Sequence, residues 1–308
     1  MFGVTIFFFL SGYLITTLLR RENDQNGRIS MTRFYARRVL RILPPFYLAI
    51  GIAFRLVYSH AIPSRITAGA LAAYSFFMGN YWLIYGSAQN QALGPMWSLA
   101  VEEHFYLFFP LLFVLLNKLR IGYRSQAFVL AGLAVAVLLW RFVIAFHPST
   151  TTAAHLFYGT DARIDSILFG CIMALALNPV MDKGVEPPVW LVAVGALGLI
   201  ASVVIHNELY RETFHYTLQG LALIPIFMAL VSLGNTWFAW LNVRWVRYIG
   251  TLSYTLYLVH RGLILAAQIH IRSKVLSTLV ALLGSFVVAV LMNQFVERPL
   301  IRLRKKLA

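Results

Sequence analysis

Charged residues are scarce in this 308-residue chain, and their scarcity excludes a water-soluble protein. Asp, Glu, Lys and Arg together make up 12% of the sequence, about half of the roughly 25% found in soluble domains. Hydrophobic residues make up 60%, and the mean hydropathy is +0.73. Because too little polar surface is left to cover a soluble globule of this length, the sequence predicts an integral membrane protein.

Cysteine and the common cofactor motifs are also nearly absent. The single cysteine, Cys171, excludes an internal disulfide and a cysteine cluster for zinc or iron–sulfur. The sequence has no GxxxxGK loop, no GxGxxG fingerprint and no HExxH helix, so we expect no metal site. The net charge of +15 comes from basic residues that lie between apolar runs. We therefore expect membrane lipid as a partner and no nucleic acid.

Apolar runs dominate what is present, and most are close to the ~20 residues that a helix needs to cross a bilayer. They predict an all-α, polytopic transmembrane bundle of about nine spans in one domain, residues 1–308, with runs near residues 2–19, 42–58, 98–116, 126–146, 164–178, 188–205, 215–233, 249–269 and 275–296. The stretch 66–86 is interrupted by Ser75, Gly79, Asn80 and Gly86. We interpret it as a re-entrant or interfacial segment.

Basic residues set the predicted orientation, because short loops rich in Lys and Arg stay in the cytoplasm. Seven arginines lie between positions 20 and 41 against two acidic residues, which places this connection inside and the N-terminus outside. The basic loop 118–124 also falls inside if residues 66–86 do not span the membrane. The basic tail, residues 297–308, is then cytoplasmic as well, whereas the loop 272–274 opposes the scheme.

The motif WSLAVEEHFYLFFP, residues 97–110, places two carboxylates and an imidazole inside an apolar run. Glu102, Glu103 and His104 lie about 8–10 Å from the start of that helix at 1.5 Å per residue. Charged groups there are costly unless paired or wetted, so they are candidates for proton transfer. The alternative is structural: one glutamate neutralises an arginine of a neighbouring helix, Arg141 or Arg163.

A second cluster, FYARRVLRILPPFY, covers residues 34–47 at the cytoplasmic end of the second run. Arg38 and Arg41 are three residues apart, so on a helix they share one face and can bind phosphate oxygens together. The alternative is that these arginines hold the topology and bind anionic lipid head groups.

Three further features are weaker. The motif YGTDARIDSILFG, residues 158–170, contains Asp161, Arg163 and Asp165, which an interfacial charge network also explains. In SYTLYLVHRG, Tyr254, Tyr257 and His260 follow one helical face, a pattern typical of an aromatic anchor. Glu297 is interpreted as the end of the last helix.

Taken together, six motifs in order resemble the membrane acyltransferase 3 family, the O-acyltransferases that modify bacterial sugars, antibiotics and lipid-linked glycans. The resemblance covers nearly the whole chain and is carried by GVTIFFFLSGYLIT, RFYARRVLRILPPFY, WSLAVEEHFYLFFP, YGTDARIDSILFG, SYTLYLVH and VERPL. It implies transfer of an acyl group, usually acetyl, from cytoplasmic acyl-CoA to a carbohydrate or lipid-linked glycan, at the bacterial inner membrane with the C-terminus cytoplasmic. Lipopolysaccharide is one compatible acceptor among several.

The resemblance also implies roles for individual residues. Arg38 and Arg41 match the arginine pair that the family associates with the acyl donor. Glu102 and Glu103 match its glutamate pair, and with the adjacent His104 they are the expected catalytic residues. The remaining motif residues are expected to position substrate: Trp97, Ser98, Arg163, Tyr257 and His260.

One departure from the family pattern bears on activity. Family members carry an earlier helix with a catalytic histidine, and this sequence begins after it, in agreement with the predicted outside N-terminus. We expect an N-terminally truncated chain; the alternatives are that the protein has lost its activity or that His104 or His260 replaces that histidine. The competing interpretations are a transporter or flippase for a lipid-linked sugar and a catalytically inactive fragment.

Overall fold

The computed structural model describes residues 2–62, 64–86, 92–182, 184–233 and 238–305, with side chains as far as residue 302. Every regular element in these ranges is helical, so the predicted all-α class is confirmed. The α-helices are α1 Phe2–Asn26, α2 Met31–Tyr58, α3 Ala68–Ser75, α4 Gly79–Tyr85, α5 Trp97–Lys118, α6 Tyr123–Phe146, α7 Thr152–Tyr158, α8 Thr160–Arg163, α9 Asp165–Ala176, α10 Val189–Val204, α11 Glu208–Glu212, α12 Phe214–Ser232, α13 Arg244–His270, α14 Lys274–Met292 and α15 Arg298–Lys305.

Six helical segments in the described ranges are long and apolar enough to cross a membrane: Phe2–Asn26, Met31–Tyr58, Gly94–Lys118, Tyr123–Phe146, Phe214–Ser232 and Lys274–Arg302. Two other predicted spans are shorter apolar helices, α9 with 12 residues and α10 with 16. At 1.5 Å per residue they measure about 18 and 24 Å, less than the ~30 Å of a hydrocarbon core. The predicted count of nine spans is therefore not confirmed.

The interrupted stretch 66–86 forms two short helices, α3 and α4, of eight and seven residues. Between them Phe77 has a φ of +57°, a left-handed conformation that an α-helix cannot contain. Because neither helix is long enough to cross a bilayer, the predicted break in this segment is confirmed. Its re-entrant or interfacial placement stays a prediction.

The chain forms two compact units that are interleaved along the sequence. The first comprises Met1–Ile29 and Ser98–Asn242, and its centre is the packing of α9 against α1, α6 and α12. Gly12 of α1 and Gly170 of α9 let the two backbones touch: a Cβ on Gly170 would lie 1.9 Å from the Phe9 carbonyl oxygen, and one on Gly12 would lie 2.0 Å from that of Ile167. Small residues at such a crossing are typical of helix packing in membranes.

The second unit comprises Ser30–Trp97 and Val243–Ala308. In it α13 packs against α14 and α2, and α15 also packs against α2. The Phe46 ring of α2 stacks on Phe77 with 4.5 Å between centroids, so the turn between α3 and α4 is anchored on α2.

Candidate functional site

Glu102 is buried in the first unit, in the second turn of α5. Only 4% of the residue is exposed. Its carboxylate accepts hydrogen bonds from the Ser11 hydroxyl of α1 and from the Tyr106 hydroxyl of α5. Tyr106 is four residues further along, on the same helical face. Trp97 and Ser98, which are expected to position substrate, are buried in the first turn of the same helix.

Glu103 and His104 are half-buried and follow Glu102 around α5 at about 100° per residue. Nδ1 of His104 lies 2.7 Å from Oγ1 of Thr160, the first residue of α8, and this contact fixes the orientation of the imidazole. The three predicted catalytic side chains thus lie within one turn of one helix, with Glu102 the most deeply buried.

Arg141 of α6 forms a fully buried ion pair with Asp165 of α9. Its Nη2 lies 2.7 Å from Oδ2 of Asp165, and its Nη1 donates to the Ala162 carbonyl at 2.7 Å. Both side chains are 0% exposed, and Thr217 of α12 also donates to the Asp165 carboxylate, at 3.0 Å. The suggestion that Arg141 neutralises a glutamate of α5 is therefore wrong.

Arg163 is also fully buried, and its guanidinium carbon lies 3.4 Å from the centre of the Tyr216 ring. This is a close cation–π contact. Asp161, by contrast, accepts hydrogen bonds from Trp140 at 2.6 Å and from His155 at 2.7 Å and is partly exposed. Within the motif, Arg163 and Asp165 are therefore fully buried and Asp161 is partly exposed; its interpretation as an interfacial charge network stays a prediction.

The two tyrosines and the histidine on one face of α13 form hydrogen bonds with backbone carbonyl groups in the second unit. Tyr254 donates to the Ile42 carbonyl of α2 at 3.1 Å, and Tyr257 donates to the Pro95 carbonyl at 2.5 Å. Nδ1 of His260 lies 2.7 Å from the Tyr257 carbonyl oxygen one turn earlier. Since Pro95 belongs to the 3₁₀ turn that precedes Trp97, Tyr257 holds the backbone directly before the WSLAVEEH motif. A role of Tyr257 and His260 in substrate positioning stays a prediction.

Arg38 and Arg41 both lie on α2, which begins at Met31, well before the apolar run from residue 42. Arg38 is half-buried, with its guanidinium carbon 5.8 Å from the centre of the Phe34 ring. Arg41 is exposed and lines a cavity of about 280 Å³ in the second unit. The two arginines therefore have the predicted helical spacing, and Arg41 is the one that lines a cavity.

Glu297 does not end the last helix, which corrects the sequence interpretation. It is the last residue of a π-helical segment, Asn293–Glu297, that joins α14 to α15. Its carboxylate accepts hydrogen bonds from Thr255 of α13 and from Asn293 at 3.1 Å. Glu297 therefore ties the π segment to α13.

Arg20 and Asp182 form an ion pair in the first unit that the charge count did not reveal. Arg20 is buried near the end of α1, which extends to Asn26 and so beyond the apolar run ending at residue 19. It donates to Asp182, in the loop after α9, through Nη1 at 3.0 Å and also through Nη2. The hydrogen bond from the guanidinium is the main cause that holds the pKa of Asp182 below its ordinary value, against the opposing effect of burial.

Sequence reasoning missed the hydroxyl groups and the aromatic ring that surround these charges. Ser11 lies inside the FFFLSG motif and Tyr106 lies four residues after Glu102, so the helical spacing did contain a signal for Tyr106. Thr217 and Tyr216 are distant in sequence and carried no such signal. Within the described ranges, no group of three or more His, Cys, Asp or Glu residues is arranged to hold a metal ion.

Comparison with known proteins gives a family match over most of the chain. The acyltransferase 3 model, described as an acyltransferase domain, matches residues 1–294. A protein of Staphylococcus aureus strain COL, provisionally named an O-acetyltransferase, is 32% identical over 281 residues, 85% of this chain and 46% of that protein. The O-acetyltransferase OatA of S. aureus strain NCTC 8325 is 26% identical over 99% of this chain and 52% of its own length. The chain thus spans about half the length of these curated relatives, and no solved structure matches it.

Proposed function

Because the chain belongs to the acyltransferase 3 family, we propose that it is a membrane-bound O-acetyltransferase that moves an acetyl group from acyl-CoA to a carbohydrate hydroxyl. The relatives named as O-acetyltransferases support acetyl as the group that is moved. The acyl-CoA donor and the carbohydrate or lipid-linked glycan acceptor come from the family resemblance. The bacterial inner membrane as the location also comes from the family resemblance, and the basic loops support a cytoplasmic C-terminus.

The observation that carries the proposal is the Glu102 carboxylate, buried inside a helical unit and held by the hydroxyls of Ser11 and Tyr106. Acyl transfer to an alcohol needs a base that accepts the hydroxyl proton and donors that stabilise the oxyanion. Burying a carboxylate inside an apolar unit costs free energy, and a role as the catalytic base explains why the protein keeps it there. Glu103 and His104, half-buried on the same turn, share the proton handling in this proposal.

In the proposed reaction the base accepts the proton of the acceptor hydroxyl as its oxygen attacks the thioester carbonyl. The tetrahedral intermediate then expels the thiolate of CoA as the C–S bond breaks, and the thiolate takes up the proton. The products are an acetyl ester of the acceptor and free CoA. Arg38 and Arg41 serve the donor, because two guanidinium groups on one helical face bind phosphate oxygens.

The test uses membranes that contain the chain and acetyl-CoA labelled on its acetyl group. Label in extracted glycan and lipid is measured for the wild type, for the Glu102→Gln, Glu103→Gln double variant, and for Glu186→Gln, an exposed glutamate in a loop. We expect transfer by the wild type and by Glu186→Gln, and loss of transfer in the double variant.

Membrane insertion of each form is checked in the same membranes, so that a loss of transfer is not caused by a loss of folded protein. Undiminished transfer by the double variant contradicts the proposed role of the glutamates. No transfer by the wild type or by Glu186→Gln, despite correct membrane insertion, contradicts the proposed activity and favours a transporter or an inactive protein.

A further inference from the structure

Two neighbouring cavities in the second unit are lined by four arginines, and only one of these, Arg41, belongs to the pair that is proposed to bind the acyl donor. The larger has a volume of about 860 Å³ and is lined by Arg244, Arg247 and Arg298, together with Trp245 and Tyr248. The smaller, of about 280 Å³, is lined by one arginine, Arg41, and by one acid, Glu297. Both cavities are bordered by the same three residues, Thr251, Asn293 and Ile301, so they adjoin.

The four arginines of these cavities form no ion pair in the part of the chain that the structure describes, although one acid, Glu297, is among the lining residues of the smaller cavity. No carboxylate oxygen lies within 4.0 Å of Arg41, Arg244, Arg247 or Arg298 there. The adjacent acid, Glu297, is bound to Thr255 and Asn293 instead. Since like charges brought together repel one another, four guanidinium groups around one pair of cavities favour a bound polyanion, and phosphate is the anion that their geometry suits best.

The aromatic residues of the larger cavity add a second kind of contact. Trp245 is 73% exposed, and Tyr248, three residues later and half-buried, lies on the same helical face. An exposed indole ring and a half-buried phenol ring next to arginines offer a surface on which a nucleobase can stack. A lipid phosphate would use the arginines but has no base to place on these rings.

We propose that these cavities bind the phosphorylated nucleoside end of the acyl donor. In this assignment, which rests on the proposed function, Trp245 and Tyr248 hold the adenine, and Arg244, Arg247 and Arg298 bind the phosphate groups of the nucleotide. Arg41 binds phosphate at the smaller cavity. A volume of about 860 Å³ lies within the range of roughly 300–1,000 Å³ typical of pockets for small organic ligands.

The test measures binding of adenosine 3′,5′-bisphosphate, which carries the base and phosphates but no acyl group, to protein in nanodiscs of phosphatidylcholine alone. The variants are Arg247→Gln with Arg298→Gln, and separately Trp245→Leu. Their matched controls are Arg272→Gln and Trp190→Leu, an exposed arginine and an exposed tryptophan outside both cavities. We expect the Kd to rise about tenfold or more in the arginine double variant and severalfold in Trp245→Leu, with both controls within about twofold of the wild type.

A second arm repeats the measurement in nanodiscs that contain phosphatidylglycerol and follows lipid binding directly. If the arginine variant loses lipid binding and keeps nucleotide binding, the cavities hold a lipid phosphate and the proposal is overturned. It is also overturned if acetyl transfer is observed and nucleotide affinity is unchanged in every variant, a result that leaves the proposed activity intact. Absence of both nucleotide binding and transfer in the wild type contradicts the two proposals together. Thermal unfolding of each variant confirms that it is folded.

Discussion

At the scale of single residues, the hydroxyl groups that donate to Glu102 allow the most direct test of the proposed chemistry. Replacing Tyr106 by Phe leaves the shape of the side chain and removes the hydroxyl that donates to the buried carboxylate. We expect a loss of about 1–3 kcal/mol of stability and a fall in acetyl transfer of about ten- to hundredfold, because small misplacements of a catalytic group are costly. Thermal unfolding and the label assay measure the two effects.

Tyr210→Phe is the matched control for that change. The Tyr210 hydroxyl is buried without a hydrogen-bond partner among the described residues, so its removal is expected to be neutral or slightly stabilising. Equal effects of Tyr106→Phe and Tyr210→Phe would show that the bond to Glu102 contributes neither to stability nor to transfer.

The Arg20–Asp182 pair gives a prediction about pH. Because the pKa of Asp182 is lower in the folded protein than its ordinary value of about 3.9, the pair stabilises the fold fully above that value. This contribution is lost as the pH falls through the lower, folded-state pKa. We expect Asp182→Asn to be less stable than the wild type at pH 7 and to lose less stability between pH 5 and pH 3.

The measurement is the thermal unfolding midpoint of purified protein across that pH range. Glu186→Gln, which removes an exposed carboxylate in the same loop region, serves as the control and is expected to follow the wild type. Parallel pH profiles for Asp182→Asn and the wild type would contradict the assignment.

The sequence indicated most of the charged residues of the site but not their partners. The sequence indicated Glu102 and Arg141 because both lie in apolar runs, where burying a charged side chain costs free energy unless the charge is paired or functional. Pairing depends on which helices pack together, and no local pattern encodes that α6 meets α9 or that Asp165 therefore binds Arg141. Only the contact between Tyr106 and Glu102 could be predicted from the sequence, because residues four apart on a helix are neighbours.

At the scale of elements, the crossing of α1 and α9 depends on two glycines. A side chain at Gly170 would collide with the backbone of α1, which cannot move away as a flexible side chain would. We expect Gly170→Leu to destabilise the protein by about 3 kcal/mol or more and to lower the folded yield from membranes. Gly132→Leu on α6, where no atom lies within 4 Å of the added Cβ, is the control and is expected to be tolerated. Equal melting temperatures for the two variants would contradict this packing.

Hydropathy located the helices well and their ends poorly, for a physical reason. The run from residue 42 marks only the apolar part of α2, whereas the helix starts at Met31 and includes both Arg38 and Arg41. Helical hydrogen bonds continue past the apolar stretch because arginine is a good helix former. The π segment at Asn293–Glu297 carries no such signal, since its hydrogen bond from Thr255 of α13 to Glu297 joins residues that are far apart in the sequence.

At the scale of the whole molecule, the predicted topology depends on whether residues 66–86 count as a span. The structure resolves them into α3 and α4, and neither can cross a bilayer alone. With this segment excluded, the basic loop 118–124 falls on the same side as the connection between α1 and α2. For these two basic loops the charge rule and the break in the helix then agree, whereas the loop 272–274 still opposes the scheme.

That agreement predicts which positions a membrane-impermeant maleimide reaches in intact cells. The native thiol, Cys171, is buried, so the unmodified chain gives a low background. We expect Phe76→Cys, in the exposed turn after α3, to be labelled from outside, and Arg124→Cys, exposed at the start of α6, to be labelled only after the cells are permeabilised. Labelling of Arg124→Cys in intact cells would place the basic loop outside. The stretch 66–86 would then have to cross the membrane despite its break, and the cytoplasmic assignment of the positions that follow would be reversed.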